Sequence, residues 1–217
     1  MHSVIKSSFY IIFILSSIAV GSQLLLSSKD NRLKKIIGFM LLFLGIGEGF
    51  HIVPRLLEIF TSEINKYQSM IETGRFISSI AILFFYLILY WFRSGFYKKE
   101  ISKNRTYIVL FIGIIGVVLS IIFKDNTEYF LVALRNIPLL ALGLVVITEF
   151  KKESLVEAGK PFKYLWLALL LSLVFTISFE LLSTNFDLFI ILMMPKSLMF
   201  IWIVYMVFDA SKKDLLK

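Results

Sequence analysis

Glu48, His51 and Arg55 stand inside GFMLLFLGIGEGFHIVPRLLEIF (residues 38–60), a stretch otherwise oily enough for hydrocarbon. A carboxylate, an imidazole and a guanidinium in one place can relay a proton, hold an acidic ligand or neutralise one another. On a helix Glu48 and Arg55 lie about 20° apart around the axis and His51 about 60° from Glu48, so the three form one stripe. His51 neighbours both partners along the helix, which predicts a hydrogen-bond ladder from Glu48 through His51 toward Arg55. An imidazole beside a carboxylate in a partly wet cavity is also what proton-coupled chemistry requires.

Comparable groups recur in other apolar runs. Arg75 precedes Ser78 and Ser79, and Arg135 and Asn136 precede Pro138. Ser172, Thr176, Glu180 and Ser183 form a second stripe at helical spacing, and Lys196 follows Pro195. Gly45 and Gly49 make a small-xxx-small pair that lets another helix approach closely, while Pro54 deprives the Phe50 carbonyl of its usual partner. Pro54, Pro138 and Pro195 would also permit the bending that alternating access requires.

The elements that position these groups follow from composition. The 217 residues are 58% hydrophobic and 16% aromatic with a mean hydropathy of +0.84, more apolar surface than one soluble core of that size can bury. A span of hydrocarbon needs about 20 apolar residues. Runs at about 8–27, 36–59, 75–93, 106–123, 128–149, 163–183 and 187–208 meet that length and lack the alternation of barrel strands. The expected fold is an all-α integral membrane protein, a seven-transmembrane-helix bundle forming one domain over residues 1–217. No long loop, linker or internal repeat interrupts it. The first and fourth spans carry no charge and belong at the periphery.

The net charge of +8 is an orientation signal. Most of the basic residues fall in one alternate set of segments: Lys29, Arg32, Lys34 and Lys35; Arg93, Lys98, Lys99, Lys103 and Arg105; Lys151, Lys152, Lys160 and Lys163; Lys212, Lys213 and Lys217. The opposite set holds Lys6, Lys66 and Lys124. The positive-inside rule then puts the N-terminus outside and the C-terminus in the cytoplasm of a cell whose plasma membrane the chain crosses several times. A cleavable signal peptide ending near Ala19-Val20-Gly21 would invert every later loop against its charge. The wealth of Ile, Lys and Phe fits an AT-rich, bacterial genome. Nucleic-acid binding is excluded, because charge distribution already accounts for the basic balance.

Each charge in mid-bilayer costs roughly 2.5–3.5 kcal/mol, so Glu48, Arg135 and Lys196 should converge on one another or on water. The expectation is an outward-facing polar cavity lined by Glu48, His51, Arg55, Arg75, Arg135, Asn136, Glu180 and Lys196, with two more cations than anions. A carboxylate or phosphate ligand would balance that surplus. The competing arrangement pairs Arg135 and Lys196 with the two glutamates and leaves Arg55 and Arg75 at headgroup level.

Three functions fit such a bundle. The first is a transporter or binding protein for a small anionic or zwitterionic molecule. The second is a seven-helix sensor or receptor working through a separate signalling partner. The third is an intramembrane lipid hydrolase. Hydrolases of the adiponectin-receptor and alkaline-ceramidase type share the outline but use several zinc-binding histidines, and this chain has only His2 and His51. Microbial rhodopsins carry retinal on a lysine of the seventh helix, but a carboxylate four residues before Lys196 and a counterion in the third helix are both missing. With no cysteine and no phosphate-cradling glycine loop, neither a metal, a cofactor nor a catalytic residue is assigned. The expected partners are membrane lipid and the small ligand.

Overall fold

The computed structural model describes residues 2–29, 31–61, 66–124, 126, 128–156, 162–182 and 191–216, with backbone alone for 2–6 and 156. Lys160, Ser183 and Lys217, which entered the sequence reading, lie outside the described residues, as does the expected helix start at 187. Among the described residues seven helices form and no strand: α1 (His2–Ser27), α2 (Arg32–Thr61), α3 (Gln68–Tyr97), α4 (Lys103–Ile122), α5 (Tyr129–Val156), α6 (Leu165–Leu182) and α7 (Met193–Lys212). All seven are long and apolar enough to cross a membrane.

The helices run beyond the apolar windows that identify them. The α3 helix starts seven residues before the expected position 75, and α5 continues seven residues past 149, because a polar residue ends an apolar run without ending a helix. The C-terminus of α3 is set by Lys98, which adopts the left-handed conformation at φ 51°. Its neighbour Lys99 is held from both sides: the backbone N–H bonds Ser94 O at 3.1 Å, and Ser94 Oγ donates to Lys99 O at 2.6 Å.

Consecutive helices pack side by side, and α1 closes on α7. Within that ring α3 is the hub. Its residues pack on α2, α4 and α5, Tyr86 Oη donates to Leu169 O of α6 at 3.2 Å, and Phe85 meets Phe200 of α7 at 5.6 Å. The helices α1 and α4, whose apolar spans carry no charge, are the least enclosed, with 28% and 22% of their apolar windows buried, which places them at the periphery as expected. Beyond the core, large apolar side chains such as Phe39, Phe111, Ile114, Phe130 and Tyr205 cover the outside of the bundle. A soluble protein would cover that surface with polar groups.

Glycines set the closest approaches, though not the pair expected. Gly45 does face α1, where an added Cβ would stand 2.9 Å from Ser17 Cβ, but Gly49 faces open space. The tight α2–α3 contacts belong instead to Gly47, against Ala81, and to Gly74, against the carbonyl of Phe50. A Cβ on Gly74 would overlap that carbonyl and approach His51 Cα to 2.7 Å. Pro54 frees the same carbonyl from its helical partner, so α3 backbone covers the group that the proline exposes. Pro195 differs from the other two prolines: it lies in the first turn of α7, where its missing N–H has no intrahelical partner to lose, and provides no hinge.

The glycine geometry yields a matched pair of outcomes. Gly74→Ala should cost about 1–3 kcal/mol, because only backbone atoms stand in the way. Gly49→Ala should be neutral or stabilise by up to about 1 kcal/mol through helix propensity. Thermal unfolding of the two variants in one detergent checks both signs.

Candidate functional site

Ion pairs join helices that are distant in sequence. Lys196 Nζ lies 2.9 Å and 3.0 Å from the two carboxylate oxygens of Glu48, and Ser78 Oγ donates to Glu48 Oε1 at 2.6 Å. That triad ties α7, α2 and α3 together. Arg135 Nη2 donates to Glu180 Oε2 at 2.7 Å, joining α5 to α6, and Arg135 Nη1 reaches the Phe123 carbonyl at 3.3 Å. Arg55 pairs along its own helix with Glu58 at 3.6 Å. These contacts match the competing arrangement for Arg135 and Lys196 and identify which glutamate each takes.

Several sequence expectations are corrected by this geometry. The ladder from Glu48 through His51 to Arg55 does not form, because Lys196 and Ser78 occupy the Glu48 carboxylate. His51 turns the other way, with Nδ1 3.3 Å from the Ile71 carbonyl of α3. Lys196 was expected about nine residues inside its helix, but α7 begins at Met193 and Lys196 stands in its first turn. Within the polar stripe of α6 two members turn to their own backbone: Ser172 Oγ donates to Leu169 O at 2.9 Å and Thr176 Oγ1 to Ser172 O at 2.7 Å. Asn136 likewise donates to Val132 O at 2.9 Å.

The expected wet hollow is closed around its deepest members. Among the described residues Glu48 and His51 are 1% accessible and Lys196 is 3%, so little of their surface is open to water. Once Glu58 is counted, the expected surplus of two cations falls to one, and that one is Arg75. Among the described residues Arg75 has no carboxylate within ion-pairing distance. Its guanidinium lies over the Phe179 ring at 5.8 Å, and its Nε is buried without a hydrogen-bond partner.

The same ring lies beside His51, with centroids 6.0 Å apart. A carbonyl can only accept, so His51 Nδ1 is the donor toward Ile71 O. In the neutral ring this leaves Nε2 as an acceptor, and Nε2 is buried with no partner. Tyr10 Oη of α1 is another buried group without a hydrogen bond, within electrostatic range of Arg55. His51, Arg75 and Phe179 therefore assemble a cation, an unused acceptor and a shared aromatic cover from α2, α3 and α6. Glu48 and Lys196 are brought close by, whereas the Arg135–Glu180 pair belongs to a separate α5–α6 contact.

Sequence reasoning missed two features. Phe179 was lost among 22 phenylalanines. A second charge network was missed because its basic members were counted only for orientation: Arg93 Nη2 contacts Glu153 Oε1 at 2.6 Å and Glu149 Oε2 at 2.8 Å, while Lys99 Nζ reaches Glu153 Oε2 at 2.7 Å. The signal was available, since Glu149 and Glu153 sit one turn apart on α5 amid basic residues. Among the described residues no group of His, Cys, Asp and Glu is arranged to hold a metal. No family model, curated protein or solved structure matches this chain.

The Glu48–Lys196 contact gives a non-additive prediction. Glu48→Gln or Lys196→Met alone should destabilise by about 3–5 kcal/mol, because each strands a buried charge. The double variant should recover most of that loss. A double-mutant cycle on unfolding in detergent measures the coupling.

Proposed function

We propose that the chain is a multi-pass membrane protein that binds a small anionic or zwitterionic molecule and carries it across the membrane. The reading rests on one observation: among the described residues Arg75 lacks a counter-charge, beside a His51 whose Nε2 has no hydrogen-bond partner. A carboxylate or phosphate would take the Arg75 guanidinium. An N–H or O–H of the same molecule would donate to His51 Nε2. This combination favours an amino acid, a hydroxy acid or another small molecule that joins an acidic group to an N–H or O–H donor over a bare inorganic anion.

Phe179 would act as the cover, since its ring contacts both groups and must turn aside before a ligand reaches either. The Glu48–Lys196 pair lies beneath and would have to separate for the ligand to pass further. Clustering of Arg32, Lys34, Lys35, Lys98, Lys99, Lys103 and Arg105 at the opposite end supports a cytoplasmic location for that end, and so an external mouth for the site.

Binding is tested by thermal unfolding of the purified protein with millimolar L-glutamate, L-lactate, glycine betaine and glycerol 3-phosphate. At least one should raise the midpoint by several degrees, as mass action requires of a ligand well above its Kd. Arg75→Gln should abolish the rise, and His51→Phe should reduce it. A panel without response, or a response unchanged in Arg75→Gln, would refute the assignment. Uptake into sealed vesicles by the wild type, with loss in Arg75→Gln, separates transport from binding alone.

A further inference from the structure

A second cavity lies at the basic end, remote from His51. It occupies about 580 Å³ between α3, α4 and α5, and its polar wall includes Tyr90, Arg93, Ser102, Arg105, Thr148 and Glu149. Ile101, Ile108, Val109 and Val145 complete it with apolar surface. The cavity thus has a charged floor and an oily side, at the end of the bundle where interfacial residues gather.

Two of its lining side chains keep unused hydrogen-bonding capacity. Tyr90 is 2% accessible, and its Oη lies beside the Thr106 hydroxyl without making a hydrogen bond of ordinary geometry. Arg93 is 9% accessible, and its Nε is buried without a partner even though Nη2 serves both glutamates. Burying such groups unsatisfied is costly, and native sites usually supply a partner.

The local charge is positive. Glu149 and Glu153 are shared among Arg93, Lys99, Arg105 and Lys152, with Glu100 the remaining acidic group on the wall. Arg105 is the least committed of the cations: its side chain is 68% exposed and its single carboxylate contact is long, at 3.6 Å. It can swing to a new anion without breaking the core of the network.

We propose that this cavity binds a phosphate group, with Arg105 and Arg93 as the cationic partners and Tyr90 and Ser102 as hydroxyl donors. The apolar wall makes an anionic phospholipid headgroup the favoured source, with its acyl chains continuing along the exposed face of α4. A free phosphate ester is the alternative source of the same chemistry. The site does not depend on the His51–Arg75 reading, because it shares no residue with it.

The test uses the delipidated full chain in a neutral detergent. Phosphatidylglycerol, phosphatidylcholine, inorganic phosphate and glycerol 3-phosphate are titrated separately while the unfolding midpoint is followed. A rise with phosphatidylglycerol that exceeds the rise with phosphatidylcholine supports a lipid-borne phosphate. A rise with the soluble phosphates of equal size supports a free one. In either case Arg105→Gln, which leaves the buried network in place, should weaken apparent affinity about tenfold, the loss of one charge-assisted bond. Tyr90→Phe should weaken it less while the unliganded protein unfolds as wild type. Equal responses to both lipids with none to the soluble phosphates, no response at all, or affinities unchanged in both variants would overturn the proposal.

Discussion

Among the described residues, every charged side chain buried in this bundle is paired with one from a different helix. Charge in an apolar interior is tolerated only when paired, and that constraint organises the architecture. Between helices in lipid there is little hydrophobic drive, so close packing and polar contacts must specify which neighbours meet and in what register. Here Glu48 with Lys196 fixes α2 against α7, Arg135 with Glu180 fixes α5 against α6, and Arg93 with its two glutamates fixes α3 against α5. Glycine then sets the distance: Gly47 and Gly74 let α2 and α3 touch at the backbone, and Gly113 and Gly116 lay α4 on the leucines of α3. Pairing decides orientation, and small residues decide proximity.

The two ends of the molecule resolve the same constraint differently. At the basic end carboxylates are the scarce partner, and two glutamates are shared among several cations that also reach water, so the exposed members are cheap to move. At the other end the pairs are nearly one to one, the Glu48–Lys196 and Arg135–Glu180 pairs are buried, and among the described residues Arg75 is left over. An uncompensated cation beside a sealed pair is tolerable because Arg75 is only half buried and its face rests on an aromatic ring. The first end suits a headgroup that exchanges freely with its surroundings. The second suits a ligand that must displace something to enter.

How much of this was legible in the sequence depended on whether the signal was local. Helix number and the peripheral place of α1 and α4 followed from run length and the absence of charge, properties of each segment alone. Pairing between Lys196 or Arg135 and a glutamate was foreseeable from cost, but partner identity was not, because it depends on the order of helices around the ring. The His51 ladder failed for the same reason. Spacing along α2 showed what His51 could reach within its own helix and nothing of Ile71 and Lys196, which compete from α3 and α7. Lys196 was placed about nine residues into its helix and not in the first turn because the apolar residues just ahead of Met193 offer no cap residue to mark where the helix begins. Glu149 and Glu153 were legible but unread, since sorting charges by sign for orientation discards the spacing that reveals a network.

The placement of His51 shows how a packing contact determines chemistry. Pro54 frees the Phe50 carbonyl, Gly74 admits it, and the two helices close to backbone contact at that turn. His51 is the next residue after Phe50, and Arg75 the next after Gly74, so one glycine contact brings the imidazole and the guanidinium to adjoining positions on facing helices. It also carries His51 Nδ1 to Ile71 O, one turn earlier on α3, which commits that nitrogen as a donor and leaves Nε2 as the acceptor. A larger residue at 74 would therefore do more than loosen the bundle: it would separate the cation from the acceptor and free the His51 ring from the Ile71 carbonyl that fixes its tautomer. The spacing of the candidate site is a consequence of how closely two backbones approach, and its polarity is a consequence of which carbonyl lies within reach.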